Sequence, residues 1–177
     1  MSFFQYPATV LWLALGLSAC SSMTPPSPPA PLAAAHLSAR SNTKVSGTVT
    51  FKQVGDRVLV KAEVTRLQAG QDHGFHIHDK GDCNSPDGMS AGGHFNPTDK
   101  PHGAPTESHH EGDMPSLKAD ASGRAEAEFY LTGVTVADGP NSIAGRAVIV
   151  HKDPDDYRTQ PTGNSGARIA CGVITRL

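Results

Sequence analysis

Three stretches of the chain alternate apolar and polar residues with a period of two. Val45, Gly47, Val49 and Phe51 alternate with Ser46, Thr48, Thr50 and Lys52. Val58, Val60, Ala62 and Val64 alternate with Leu59, Lys61, Glu63 and Thr65, and Ala125, Ala127, Phe129 and Leu131 with Arg124, Glu126, Glu128 and Tyr130. Successive side chains of a strand point to opposite faces, so this is the mark of strands with one face in a core and one in water. Residues 144–151, AGRAVIVH, become apolar on both faces and predict a more buried strand. Residues 169–175, IACGVIT, predict another, and residues 33–40 a weak first strand. Val54-Gly55-Asp56 and Ala121-Ser122-Gly123 supply turns. No stretch carries a long helical period, and 18 Gly with 14 Pro suit short strands joined by turns better than a helical bundle. The fold class is therefore all-β, a sandwich or barrel.

The N-terminal segment reads as an address. Residues 8–19 form an apolar run of signal-peptide length, too short to span a bilayer as a mature helix, with no Lys or Arg before it. Leu17-Ser18-Ala19-Cys20 resembles a bacterial lipobox, in which the Cys is lipidated and becomes the first mature residue. Five prolines between 25 and 31 then make an extended tether without a core. The expected organisation is a signal peptide over 1–19, a lipidated Cys20 with its tether over 20–32, and one domain over 33–177. Such a chain is exported to the periplasm or cell envelope and held at a membrane through a lipid on Cys20. The competing reading is an ordinary cleaved leader with an incidental Cys. Without Cys20 two cysteines remain, Cys83 and Cys171, and an even pair in an exported protein reads as a disulfide. The net charge of −2 and the lack of a basic run disfavour a nucleic-acid partner.

From about Lys80 to Pro115 the periodicity stops, and Gly, Pro, Asp, His and Asn dominate. A loop of that length in a compact domain is usually functional or tied down. It holds Cys83 and four of the nine His, and a shorter irregular segment, Lys152 to Ala167, precedes the last strand. His76 and His78 sit at i and i+2 where a strand enters the loop, so they share a face. His151 closes the buried strand, where an imidazole needs a reason, and imidazole-rich sites suit copper or zinc. His94, His102, His110 and Asp113 make a second set, three imidazoles and a carboxylate, as structural zinc prefers. His36 and His73 read as solvated, and His109 as a surface neighbour of His110 or a substitute ligand.

The series GFHIH, GDC, GGHFNP, HGAP, HHEGD, GRAVIVH and GARIACGVI, over residues 44–175, resembles the copper/zinc superoxide dismutases in motif order. The lipobox and tether resemble those of exported bacterial members. The resemblance implies a flattened, eight-stranded Greek-key β-barrel, an immunoglobulin-like sandwich with a long metal-binding and disulfide loop. It implies one copper per chain on His76, His78, His94 and His151, and one zinc on His94, His102, His110 and Asp113, with His94 as the bridge. Cys83 and Cys171 would form the family disulfide. Asp155 would be the carboxylate linking the two His sets, with Asp156 beside it as the other candidate. Arg168 would stand at the copper channel and guide superoxide.

The implied chemistry is dismutation of superoxide to dioxygen and hydrogen peroxide, with copper cycling between Cu(II) and Cu(I) and His94 carrying a proton. Two dications against one imidazolate and one carboxylate leave a positive centre that attracts a small anion. Exported members include monomers and homodimers, so a homodimer stays a candidate assembly. Three other classes remain: a metal-binding module without turnover, a structural surface lipoprotein with an incidental His cluster, and a zinc hydrolase. The zinc hydrolase needs an open metal position that a closed His3Asp set does not offer.

Overall fold

The computed structural model describes residues 1–2 and 32–177. Cys20, the apolar run and the proline tether lie outside the described residues. The strands are β1 (Leu32–Ala39), β2 (Ser46–Val54), β3 (Arg57–Thr65), β4 (Asp72–His73), β5 (Phe75–His78), β6 (Leu117–Lys118), β7 (Ala125–Leu131), β8 (Ala147–His151), β9 (Arg168–Val173) and β10 (Thr175–Arg176). Among the described residues, a single 3-10 turn at Met89–Ala91 is the one helical element. The class is all-β, as the alternation predicts. Eight strands form one curled antiparallel sheet in the order β5-β8-β9-β1-β2-β3-β7, with β10 also on β1, while β4 pairs with β6. The first strand is not weak: β1 is central, bonded to both β2 and β9.

The β2–β3 hairpin follows directly from its pattern. Gly55 takes the left-handed conformation (φ 61°) at the first of two turn residues, the position where such a turn needs Gly. The register then sets Phe51 opposite Val60 and Val49 opposite Ala62, all essentially inaccessible to water. Their chain neighbours Lys52, Lys61 and Glu63 face solvent. A Cβ on Gly47 would come within 2.3 Å of the Glu63 carbonyl oxygen, so the strands approach there only because position 47 has no side chain.

The β5–β8–β9 region differs because both of its faces are covered. Phe75 and Ile77 of β5, with Val148 and Val150 of β8, enter the main apolar core. On the other face Ala147, Ile149 and Cys171 form a smaller cluster with Ala91. His76 pairs across the strands with Ile149 and His78 with Ala147, so both imidazoles lie on that second face. The long loop covers it and also uses the free edge of β5. The amide of Ile77 donates to the Gly112 carbonyl (2.9 Å), and that of Phe95 to the Ile77 carbonyl (2.8 Å). The Cys83–Cys171 disulfide ties the same loop to β9, with Cα atoms 5.7 Å apart.

Candidate metal centre

Alternation on β5 delivers His76 and His78 to one face. A bulge at the end of β8 delivers His151: Val150 faces Ala170 while His151 faces Arg168, so Ile169 is the extra residue. The loop supplies the rest by laying His94 opposite His78 and Asp113 opposite His76 along the β5 edge. Two groups of potential ligand atoms converge: His76, His78, His94 and His151, and His94, His102, His110 and Asp113. Within each group one ligand atom per residue lies within 4.8 Å of all the others, and every member is buried. His94 belongs to both. Its ring stacks on that of His76, with centroids 4.0 Å apart.

The polar atoms left without partners show what the site lacks. Nδ1 of His76, Nε2 of His94, Nδ1 of His102 and Nδ1 of His110 are buried with no hydrogen bond. Nδ1 of His102 lies 3.0 Å from Asp113 Oδ2, out of hydrogen-bond geometry. Buried nitrogens are rarely left this way, and four in one cluster fit metal coordination. The opposite nitrogens are held. The His78 ring bonds the Gly92 carbonyl through Nδ1 (2.9 Å) and the His151 ring that of Gly166 (3.2 Å). Their Nε2 atoms face each other at 3.4 Å. Such outer bonds fix which nitrogen is offered inward.

Asp155 joins the two groups. Its Oδ2 accepts from His76 Nε2 (2.6 Å) and its Oδ1 from His102 Nε2 (2.9 Å). Asp156 does not compete, because its carboxylate is exposed and accepts from the amides of Arg158 and Thr159. Gly163 closes over this bridge. A Cβ there would lie 1.8 Å from Asp155 Oδ1 and 2.6 Å from His102 Nε2, so only Gly fits.

Charge follows from burial and from these carboxylates. Burial pushes the His76, His78 and His151 rings below their ordinary range, His78 and His151 strongly. Burial also brings His94 down to about 4, although Asp113 opposes it. At His102 burial is outweighed by Asp113 and Asp155, which hold it up at about 9. Both carboxylates lie well below the usual carboxylate range: burial opposes this, but the surrounding imidazoles prevail. The rings facing β5 and β8 are thus neutral donors, and the Asp113 corner is anionic.

Arg168 is buried on the other side of His151. Its Nη1 donates to the Gly88 carbonyl (2.8 Å) and its Nη2 to that of Gly92 (2.6 Å). A surface depression lined by Arg168, His151, Ser41, Asp87, Met89 and Thr162 opens there, so one imidazole of the first group is reached from solvent beside a guanidinium.

Residues 45–174 match the family described as copper/zinc superoxide dismutase. The chain belongs to the copper/zinc superoxide dismutase family. It is 41% identical over 133 residues to superoxide dismutase (Cu-Zn) 1 of Aquifex aeolicus, covering 72% of this chain and 79% of that protein. It is 40% identical over 136 residues to superoxide dismutase (Cu-Zn) 2 of the same organism, covering 74% and 80%. Among solved structures, a SOD-like protein from Bacillus subtilis superposes with TM-score 0.71 at 37% identity, over 78% of this chain and 95% of that one. The clock protein EA4 superposes with TM-score 0.76 at 36% identity, over 88% of this chain and all of that one.

One reading of an individual residue changes. His73 is not solvated: its ring is buried and donates from Nδ1 to the His151 carbonyl (2.9 Å). His109 stands outside both groups, its Nδ1 bonded to the His110 carbonyl, whereas His36 is exposed. Two contributors carry no sequence signal. The Gln160 side chain grips His102 at both backbone groups, accepting from its amide (2.9 Å) and donating to its carbonyl (2.8 Å). Glu111 is buried and takes Lys100 Nζ (2.7 Å) and Thr98 Oγ1 (2.6 Å), tying the loop to itself.

Proposed function

We propose that His76, His78, His94 and His151 hold copper, that His94, His102, His110 and Asp113 hold zinc, and that Arg168 guides superoxide to the copper side. The reaction of the family takes two superoxide anions and two protons to dioxygen and hydrogen peroxide. Copper, when bound, supplies the site that accepts one electron and returns it, while zinc keeps one oxidation state. The observation that carries the assignment is the set of orphaned buried nitrogens, shared between two groups through His94.

The chain's own residues do the rest. Arg168 presents a fixed positive charge beside His151, where a small anion enters. His94 carries a proton on Nε2 between the two half-reactions, while its Nδ1 stays directed at Asp113 Oδ1, 2.7 Å away. Asp155 fixes the orientation of His76 and His102 by accepting from both Nε2 atoms. Every imidazole of the two groups is buried, and the depression by Arg168 meets the first group at His151.

The finer reading of localisation belongs here too. The apolar run, the lipobox-like Leu17-Ser18-Ala19-Cys20 and the tether support an exported lipoprotein anchored through Cys20, with the enzyme domain at 33–177. A formed Cys83–Cys171 bridge suits the oxidising compartment that export implies. A homodimer stays one candidate assembly beside the monomer. The assignment is tested with His151→Ala in the full chain without residues 1–19. Loss of copper and dismutation is expected, with zinc and the fold retained, whereas full activity in this variant overturns the copper assignment.

A further inference from the structure

Arg168 is held by two carbonyls of the disulfide loop, at Gly88 and Gly92, so its position is only as fixed as that loop. Besides the disulfide and its bonds on the β5 side, the loop is anchored at two places in the turn after β1. Arg40 donates through Nη2 to the Cys83 carbonyl and through Nη1 to its neighbour's at Ala39 (2.6 Å). The Ser41 amide donates to the Pro86 carbonyl (2.8 Å). The same turn grips the strand that carries Arg168: Ser41 Oγ donates to the Arg168 carbonyl (2.9 Å), Thr43 Oγ1 to that of Ile169 (2.7 Å), and the Arg40 amide to Ile169 again (2.9 Å).

The turn therefore spans the gap between the backbone of Arg168 and the carbonyls that receive its guanidinium. Ser41 and Asn42 adopt left-handed conformations there (φ 51° and 58°), unusual for residues other than Gly and sustained only where the surroundings impose them. A Cβ on Gly88 would come 3.2 Å from Arg168 Cβ and 3.7 Å from Arg40 Cγ, so the two arginine stems close on the same glycine.

We propose that Arg40 is a positioning residue for Arg168: by holding the Cys83 carbonyl it fixes the loop whose Gly88 and Gly92 carbonyls hold the guanidinium. The proposal rests on the reading of Arg168 as the anion guide. Arg40 acts through geometry. It lines a depression with Asn84, Ser85 and Pro86 that shares no lining residue with the one that reaches His151.

The test uses the metal-loaded chain without residues 1–19 and azide as the anion probe, with affinity read from the copper absorption spectrum. Arg40→Gln, Arg40→Lys and Arg168→Gln are compared at equal copper, zinc and disulfide content. Arg40→Gln is expected to weaken azide binding by roughly three- to tenfold, in the range of coupling between residues of one network. It should also speed hydrogen exchange at the Gly88 and Ala91 amides of the loop. Arg40→Lys, which keeps the charge but lacks the fork, falls between it and the native chain. Azide affinity unchanged in Arg40→Gln while Arg168→Gln weakens it overturns the role of Arg40 alone. Full rescue by lysine also overturns it, because charge rather than geometry would then be the cause. Affinity unchanged in Arg168→Gln overturns the reading of Arg168 on which the proposal stands.

Discussion

The β2–β3 hairpin and the loop wall made of residues 79–116 and 152–167 both bury their side chains, but for different physical reasons. In the hairpin the buried groups are Val49, Phe51, Val58, Val60 and their neighbours, and each leaves water at a gain. In the wall they are His94, His102, His110, Asp113 and Asp155, which water solvates well. Burying such groups is unfavourable unless each finds a partner. Here Nε2 of His94 and Nδ1 of His102 and His110 do not, and all three belong to one group of potential ligands. The hairpin is a complete piece of protein chemistry, whereas the wall, on the proposed assignment, is completed by metal. Its metal affinity is therefore part of its folding free energy.

The strongest way to break this contrast is a core change in the hairpin. Phe51→Ala should cost about 3–5 kcal/mol, a typical figure for emptying a buried aromatic site, and should cost it equally with and without metal. Chemical denaturation of both forms checks this, and a loss confined to the loaded form would contradict the division. The reverse change is Asp113→Ala. It removes the one carboxylate of its group, so zinc binding should fall severely. The metal-dependent part of stability, about 4 kcal/mol for a metal at a thousandfold over its Kd, should fall with it. The metal-free form should lose stability too, because the buried amides of Gly103 and His110 lose their acceptor, and thermal unfolding with and without zinc should show the larger loss in the loaded form.

Next in size is Asp155→Asn, which keeps the shape but weakens the bridge between His76 and His102. Outer hydrogen-bond partners of metal ligands typically change affinity by roughly 10–100-fold, so competition with a chelator should show a loss on both metals. Gln160→Ala removes two hydrogen bonds to the His102 backbone. It should weaken zinc by a smaller factor and leave copper unchanged, a difference measurable by the same competition.

The smallest expected effect is on pH dependence, and it arises in the loop wall. His94, lowered to about 4, is neutral when folded but protonated when unfolded between that value and its ordinary 6.5. Metal-free stability should therefore fall as pH drops from 6.5 to 4. His102, raised to about 9, binds its proton more tightly when folded, so its contribution is full below 6.5 and lost as pH rises through 9. The metal-free chain should be most stable near pH 6.5. With zinc in place the loss on the alkaline side should vanish, because zinc replaces the His102 proton. Calorimetry of zinc binding near pH 8 in buffers of different ionisation enthalpy should then show proton release.

Legibility divides along the same line. Period-two alternation predicts β2, β3 and β7 because their faces differ in solvent exposure, and residue by residue it matches the buried positions of the hairpin. The Phe75–His78 step could also be read, since i and i+2 share a face whatever the surroundings. The two-residue strand β6 was illegible, as it is defined only by its pairing with β4. His73 looks solvated in sequence but is buried, with its ring bonded to the His151 carbonyl at the bulged end of β8. The choice between Asp155 and Asp156 was open because adjacent residues differ only in which way the turn aims them. Gln160 and Arg40 act through backbone groups 58 and 43 residues away, and no local pattern marks a side chain that bonds distant carbonyls. The motifs identify the family, but the contacts that hold their residues in place arise from the fold.

The most direct test of the account is the dismutation rate of the chain without residues 1–19, loaded with copper and zinc, with both metals quantified on the same sample. The account predicts fast dismutation at about one copper and one zinc per chain, slowing as salt screens the approach of the anion. Full loading with both metals and no dismutation would contradict it and leave the buried histidines as a metal-binding module without turnover.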